Sequence, residues 1–204
     1  MPIETLASPA SLDFPRQYKS KLFSALDTLD LDAVNRAIEI IKEARDKQHH
    51  IFVCGNGGSA STASHFVTDM VKGASFGRDL RFRIMALTDS MATITAYSND
   101  VGYDCVFAEQ LKNFAQPGDV LITISASGNS PNVIRATEYA SKTGCRTIAL
   151  TGRDGGQLGP MANVEIRVKE THMGRIEDGH LFACHMICYY FMDQEKPHEA
   201  SRTV

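Results

Sequence analysis

Apolar residues recur along the chain in two alternating rhythms. Short apolar runs are bounded by glycine, serine, asparagine or aspartate. Between them lie longer stretches whose apolar positions fall three and four residues apart. The short runs predict strands at 51–54, 82–87, 119–124, 146–151 and 164–168. The longer stretches predict helices at 59–72, 90–97, 104–115, 131–142 and 175–193. Two further helices, at 14–28 and 31–46, precede the first strand. Tyr18, Leu22 and Leu26 share one stripe of the first, and Val34, Ala37, Ile38 and Ile41 one face of the second. Residues 1–13 carry two prolines and no periodicity, and read as a loose lead-in.

Apolar strands separated by helices predict an α/β fold: a doubly wound, mainly parallel five-stranded sheet, helices on both faces, joined by right-handed crossovers. Residues 50–193 form its core and 14–46 are extra N-terminal helices. These two either cover the sheet or pack subunits together, and the second role is favoured because few other surfaces look apolar. No linker, repeat or low-complexity tract divides the chain, so 1–204 is one domain, as its length suits.

Charge and composition narrow the partners. Twenty-one basic against 24 acidic residues leave a net charge of −3, which predicts neither nucleic acid nor a membrane as partner. An anionic ligand must be held by local donors. No apolar run approaches the ~20 residues that span a bilayer. The N-terminus lacks the basic-then-apolar order of a secretory signal. The five cysteines are scattered, and Cys54, Cys145, Cys184 and Cys188 sit in apolar runs. That pattern fits reduced, buried thiols and a cytoplasmic location. The absence of a Cys-x-x-Cys pair excludes a thiolate zinc finger.

Two Gly/Ser-rich segments follow predicted strands and open predicted helices: Gly55-Asn56-Gly57-Gly58-Ser59 and Ser125-Ala126-Ser127-Gly128-Asn129-Ser130. A strand–loop–helix turn offers free N–H groups and a positive dipole end to an anion. The dinucleotide fingerprint is incomplete, since position 60 is alanine, and there is no Lys-Ser/Thr ending of a P-loop. A sugar phosphate is therefore favoured and a nucleotide cofactor is not expected. His65 and Asp69 lie four apart on the first of these helices, while the last carries Glu177, His180 and His185. Two histidines and two carboxylates suit a divalent metal, or an acid and a base for proton transfer. His185 lies in an apolar run, where burial would perturb it, and His180 is placed to reach Glu177.

These segments, with His65-Phe66, Ser98-Asn99-Asp100, Ser130-Pro131-Asn132-Val133, Thr151-Gly152-Arg153-Asp154-Gly155-Gly156 and Arg175-Ile176-Glu177-Asp178, together resemble the sugar isomerase (SIS) domains, and among them the phosphoheptose isomerases. The resemblance runs from about residue 14 to 193. It implies a flavodoxin-like sheet and an aldose–ketose isomerase that converts D-sedoheptulose 7-phosphate to D-glycero-D-mannoheptose 7-phosphate by proton transfer. It further implies Asp69 and His185 as catalytic residues, and substrate contacts at Asn56, Gly57, Gly58, Ser59, Asn99, Asp100, Ser125, Ser127, Ser130 and Glu177. A zinc site of His65, Asp69, Glu177 and His185 and a homotetramer built on the N-terminal helices follow from the same likeness. Three positions depart from the family pattern: Asp69 replaces glutamate, Glu177 replaces glutamine, and Gly174 replaces aspartate. The alternatives are an isomerase of another sugar phosphate, or a non-catalytic regulator like the DnaA-associating initiator protein. That relative shares the fold but has asparagine at the position of His185.

Overall fold

A computed structural model describes residues 13–194; the lead-in at 1–12 lies outside the described residues. Five strands, β1 (His50–Gly55), β2 (Arg83–Ala86), β3 (Val120–Ser125), β4 (Arg146–Gly152) and β5 (Val164–Val168), form one sheet in the order β2-β1-β3-β4-β5. Every neighbouring pair is parallel. Ile51 of β1 lies opposite both Ile84 of β2 and Val120 of β3. This is the flavodoxin-like order, in which the winding reverses between β1 and β3 and opens a crevice at their carboxyl ends.

Side chains alternate along each strand and sort into two cores. Ile51 and Val53 face one layer with Val120, Ile122, Ile148 and Ile166. Phe52 and Cys54 face the other with Leu121 and Ala149. The first layer holds α1 (Phe14–Leu26), α2 (Leu31–Asp46), α3 (Gly58–Thr68) and α8 (Met173–Asp193). The second holds α5 (Val106–Phe114), α6 (Pro131–Thr143) and the single turn α7 (Leu158–Met161), with α4 (Met91–Asp100) packed against it. The expected segment 104–115 divides into a 3₁₀ turn at Tyr103–Cys105 and α5. The short α7 carries no helical periodicity that a sequence could betray.

Local chemistry sets the boundaries. Asp30 caps α2 by accepting hydrogen bonds from the Asp32 and Ala33 N–H groups at 2.9 and 3.1 Å. Pro131 opens α6, and Gly144 ends it in the left-handed conformation. The expected helix 59–72 is α-helical only to Thr68. Asp69–Gly73 continue as a π-turn, closed by the Ala74 N–H donating to the Asp69 carbonyl at 2.9 Å. A π-turn inserts one residue into a helix and recurs at functional positions.

The two N-terminal helices part company. α2 buries Val34, Ala37, Ile38, Ile41 and Ala44 within the chain's own core, so it belongs to the fold rather than lying free for subunit packing. α1 buries only Ala25, and Phe14 and Phe23 on it are exposed. All five cysteines are free and buried. No helix among the described residues is long and apolar enough to cross a membrane.

Candidate active site

Both Gly/Ser loops emerge at the β1/β3 reversal. Gly55 ends β1 so close to its surroundings that a Cβ there would stand 2.9 Å from the Ile124 carbonyl. Gly57 adopts φ +54°, and Gly58 and Ser59 begin α3, where the Ser59 N–H turns back to the Asn56 carbonyl at 2.9 Å and the positive end of the helix dipole faces the loop. From β3, Ser125 runs into Ser127, Gly128 at φ +63°, and Ser130 at the N-cap of α6. Asn56, Gly57, Gly58, Ser59, Ser125, Ser127, Ser130 and Glu177 line one cleft of about 290 Å³, joined by Ile124, Ala126 and Met173. No lysine or arginine lines it among the described residues. An anion there would meet hydroxyls, N–H groups and a helix N-terminus, as the low net charge requires. Arg175, the nearest cation in sequence, is committed to Glu170 at 2.7 Å.

A third segment braces the second loop. The Leu158 N–H donates to the Gly128 carbonyl at 2.9 Å, and the Gln157 N–H to Asn129 Oδ1 at 3.1 Å. A Cβ on Gly128 would fall 2.1 Å from the Gly155 carbonyl oxygen. The Gly-rich turn at 152–156 thus supports the second Gly/Ser loop from behind.

The second cluster joins α3 to α8. His65 Nε2 stands 3.1 Å from His185 Nε2 and 3.2 Å from Asp69 Oδ2, and His185 Nε2 is 3.7 Å from the same oxygen. Zinc bound at about 2.0–2.1 Å in a tetrahedron would space its ligand atoms by about 3.4 Å. The three observed edges bracket that value, so the donor set and its spacing fit a small divalent ion. Asp69 reaches His65 although it is one methylene shorter than the glutamate that the resemblance implies at this position. Cys184 and Cys188, beneath the cluster, are pushed up to about 12 by burial and stay protonated.

Three expectations change. Glu177 does not join the cluster; it is two turns and roughly 12 Å along α8 from His185. Its carboxylate instead faces the first loop, where a Cβ on Gly58 would meet Glu177 Oε1 at 2.6 Å. Asn99 and Asp100 are exposed at the end of α4, bonded to each other at 2.7 Å, and are absent from the cleft lining. The two helix histidines exchange environments. His185, expected to be buried, has a side chain 40 % exposed, whereas His180 is fully buried and donates its Nε2–H to the Thr151 carbonyl at 2.9 Å rather than reaching Glu177. The apolar run around His185 misled because its apolar neighbours face the core while the histidine points across to α3. Gly174 has its own explanation: a Cβ there would stand 3.0 Å from the Tyr18 hydroxyl, which donates to Asp178 at 2.7 Å.

Burial pushes His180 down to about 4, opposed by its bond to Thr151. An unfolded chain takes up that proton near 6.5. Above about 6.5 neither state is charged and stability is full; from there down to about 4 only the unfolded state gains the proton. Stability should therefore fall by up to roughly 3 kcal/mol across that window. Urea midpoints at pH 7 and pH 5 will show it, and His180→Gln should flatten the difference; equal slopes in both proteins would refute the assignment. Glu170 acts lower on the scale. Its hydrogen bond from Arg175, with those from His172 and Thr171, holds it near 2, so its contribution is present above about 4.3 and lost as pH falls through 2.

Tyr103, which the sequence gives no reason to single out, and Asn132, known from the sequence only as part of a motif, bond Asn56 at the cleft edge.

Comparison with known proteins places this geometry. The family model of the SIS domain matches residues 16–152. A phosphoheptose isomerase of Citrifermentans bemidjiense is 41 % identical over 156 residues, 76 % of this chain and 81 % of that protein. A solved phosphoheptose isomerase from Neisseria gonorrhoeae superposes with TM-score 0.81 at 33 % identity, covering 88 % of this chain and 97 % of the other. One from Francisella tularensis gives 0.84 at 31 % identity, covering 91 % and 99 %.

Proposed function

The chain belongs to the SIS-domain family and, within it, to the phosphoheptose isomerases, and from that membership we propose that it interconverts D-sedoheptulose 7-phosphate and D-glycero-D-mannoheptose 7-phosphate. The observation that carries the reading is the joining of two elements by one helix. α3 starts at the proposed phosphate cleft and presents His65 to His185, and the π-turn that continues it adds Asp69.

Ser59, Ser125, Ser127 and Ser130, with the Gly57 and Gly58 N–H groups, hold the phosphate and orient the sugar. Glu177 and Asn56 contact the substrate at the cleft wall. Asp69 takes the carbon-bound proton and returns it to the neighbouring carbon. Its Oδ2 makes the close approach to both histidines, which leaves Oδ1 to accept the proton. His185 moves the second proton between the two substrate oxygens by way of an enediol, on Nδ1 when Nε2, the atom facing His65 and Asp69, holds a metal. Hydrogen passes between adjacent carbons of one molecule, so no redox cofactor enters the balance. His65, Asp69 and His185 would hold zinc, which when bound polarises the substrate carbonyl. We assign the enzyme to the cytoplasm as a homotetramer, with the exposed Phe14 and Phe23 of α1 in its interface.

The test is turnover of sedoheptulose 7-phosphate followed by NMR of the aldose product. Elemental analysis should find roughly one zinc per chain, and chelation should lower the rate at least ~100-fold, restored by zinc. No product from metal-reconstituted protein would overturn the enzyme reading in favour of a binding regulator. Full activity with no bound metal would remove the zinc alone. His185 argues against the regulator, because it stands where that relative has asparagine.

A further inference from the structure

The amide of Asn56 is held in a clamp. Its Nδ2 donates to Asn132 Oδ1 at 2.9 Å, and Asn132 Nδ2 donates back to Asn56 Oδ1 at 2.8 Å. The Tyr103 hydroxyl donates to the same Asn56 Oδ1 at 2.7 Å. Asn132 is 2 % exposed at the start of α6, 76 residues from Asn56. Its Oδ1 also accepts the Val133 N–H at 3.0 Å. The Val133 N–H is shared with the Ser130 carbonyl at 3.1 Å. A flipped Asn132 amide would set its NH₂ against that N–H, donor to donor, so the oxygen is the atom that faces Val133. The Asn132 Nδ2 must then face Asn56 Oδ1, and Tyr103 can serve only as a donor. Asn56 is left with its oxygen doubly occupied and one Nδ2 hydrogen uncommitted, at the edge of the cleft. A flipped amide would present an acceptor lone pair to an anionic ligand instead.

We propose that Asn132 and Tyr103 are positioning residues that lock Asn56 as an N–H donor toward the phosphate end of the substrate, fixing the polarity and spacing of the two loops. This rests on the phosphate-binding reading of the cleft. Tyr103 is suited to the task from outside. It is half exposed, it follows Gly102 at φ +150°, and the next residue, Asp104, is anchored to Arg135 of α6 at 2.6 Å. One arm of the clamp thus reports on the segment that follows α4, the other on the start of α6.

The experiment measures the affinity of inorganic phosphate by calorimetry, and KM and kcat for sedoheptulose 7-phosphate, in the parent, Tyr103→Phe and Asn132→Asp. Tyr103→Phe should weaken phosphate binding and raise KM by the same factor, about three- to tenfold, the scale of one lost neutral hydrogen bond, with kcat within about twofold. Asn132→Asp cannot donate to Asn56 while ionised, and should lose more at pH 8. As pH falls and the new carboxyl regains a proton, it becomes a donor again, so the ratio of parent to variant affinity should shrink. A purely structural role would lower the thermal midpoint without that pH-dependent recovery. Unchanged phosphate affinity in Tyr103→Phe, or a parent-to-variant ratio for Asn132→Asp independent of pH, overturns the clamp. If Asn132→Asp fails to fold, the Tyr103→Phe arm decides alone. A parent that binds phosphate but turns over no sedoheptulose 7-phosphate refutes the isomerase reading while leaving the clamp's affinity test intact; a parent that binds no phosphate refutes the clamp as well.

Discussion

Replacing His185 by asparagine should leave a folded protein that binds sugar phosphate and turns it over at least ~100-fold more slowly, the scale of a lost general acid–base group. Asparagine fits the space but carries no titrating nitrogen, and its amide cannot move a proton between two oxygens. The same change removes one of three atoms that converge within 3.1–3.7 Å, so metal content should fall with it. His180→Asn is the control. That side chain is sealed in the core against Thr151, and its loss should appear in stability before it appears in kcat. Near-normal kcat in His185→Asn together with a dead, well-folded His180 variant would reverse the assignment.

Gly128→Ala should be the most damaging single methyl in the molecule's functional half. The new Cβ would stand 2.1 Å from the Gly155 carbonyl oxygen and 2.6 Å from its carbon, both backbone atoms that cannot swing aside. The residue would also keep φ near +63°, which L-residues avoid. Strained backbone and forced overpacking together should cost about 2–5 kcal/mol. Separating Gly128 from Gly155 would also displace Ser127 and Ser130, so phosphate affinity should drop with stability. Urea unfolding and phosphate calorimetry measure the two. A variant matching the parent in both would mean that the loops tolerate independent movement.

How far the sequence foretold this site depended on whether a residue acts through its neighbours in the chain or across the fold. The five strands were legible because each is an apolar run too short for a helix and closed by turn residues. The two Gly/Ser loops were legible as strand-to-helix turns for the same reason, since strand, glycine and helix start are consecutive. His65 and Asp69 could be paired by helical spacing alone. Their meeting with His185 could not, because it depends on how α3 and α8 pack. Glu177 illustrates the converse: chemistry and likeness suggested a metal ligand, yet two turns of helix place it at the cleft. His180 and His185 were ordered wrongly by the local run, since apolar neighbours in sequence do not tell which face of a helix looks inward. Asn132 stood in a motif, but its role gave no local signal, because its partner lies 76 residues away. The π-turn at Asp69 was likewise invisible, as the residues there would serve equally in an α-helix.

α3 also acts as a ruler. Ser59 and His65 are six residues apart on one uninterrupted helix, an axial rise of about 9 Å that neither loop motion nor side-chain adjustment can shorten much. A phosphate seated at the start of that rod and a carbonyl offered to the histidine further along must be separated by a matching length of carbon chain. On the proposed assignment of the two seats, sugar phosphates with too few carbons would occupy one end without engaging both. Chain length would then be selected by the spacing of a helix, separately from any reading of hydroxyl configuration.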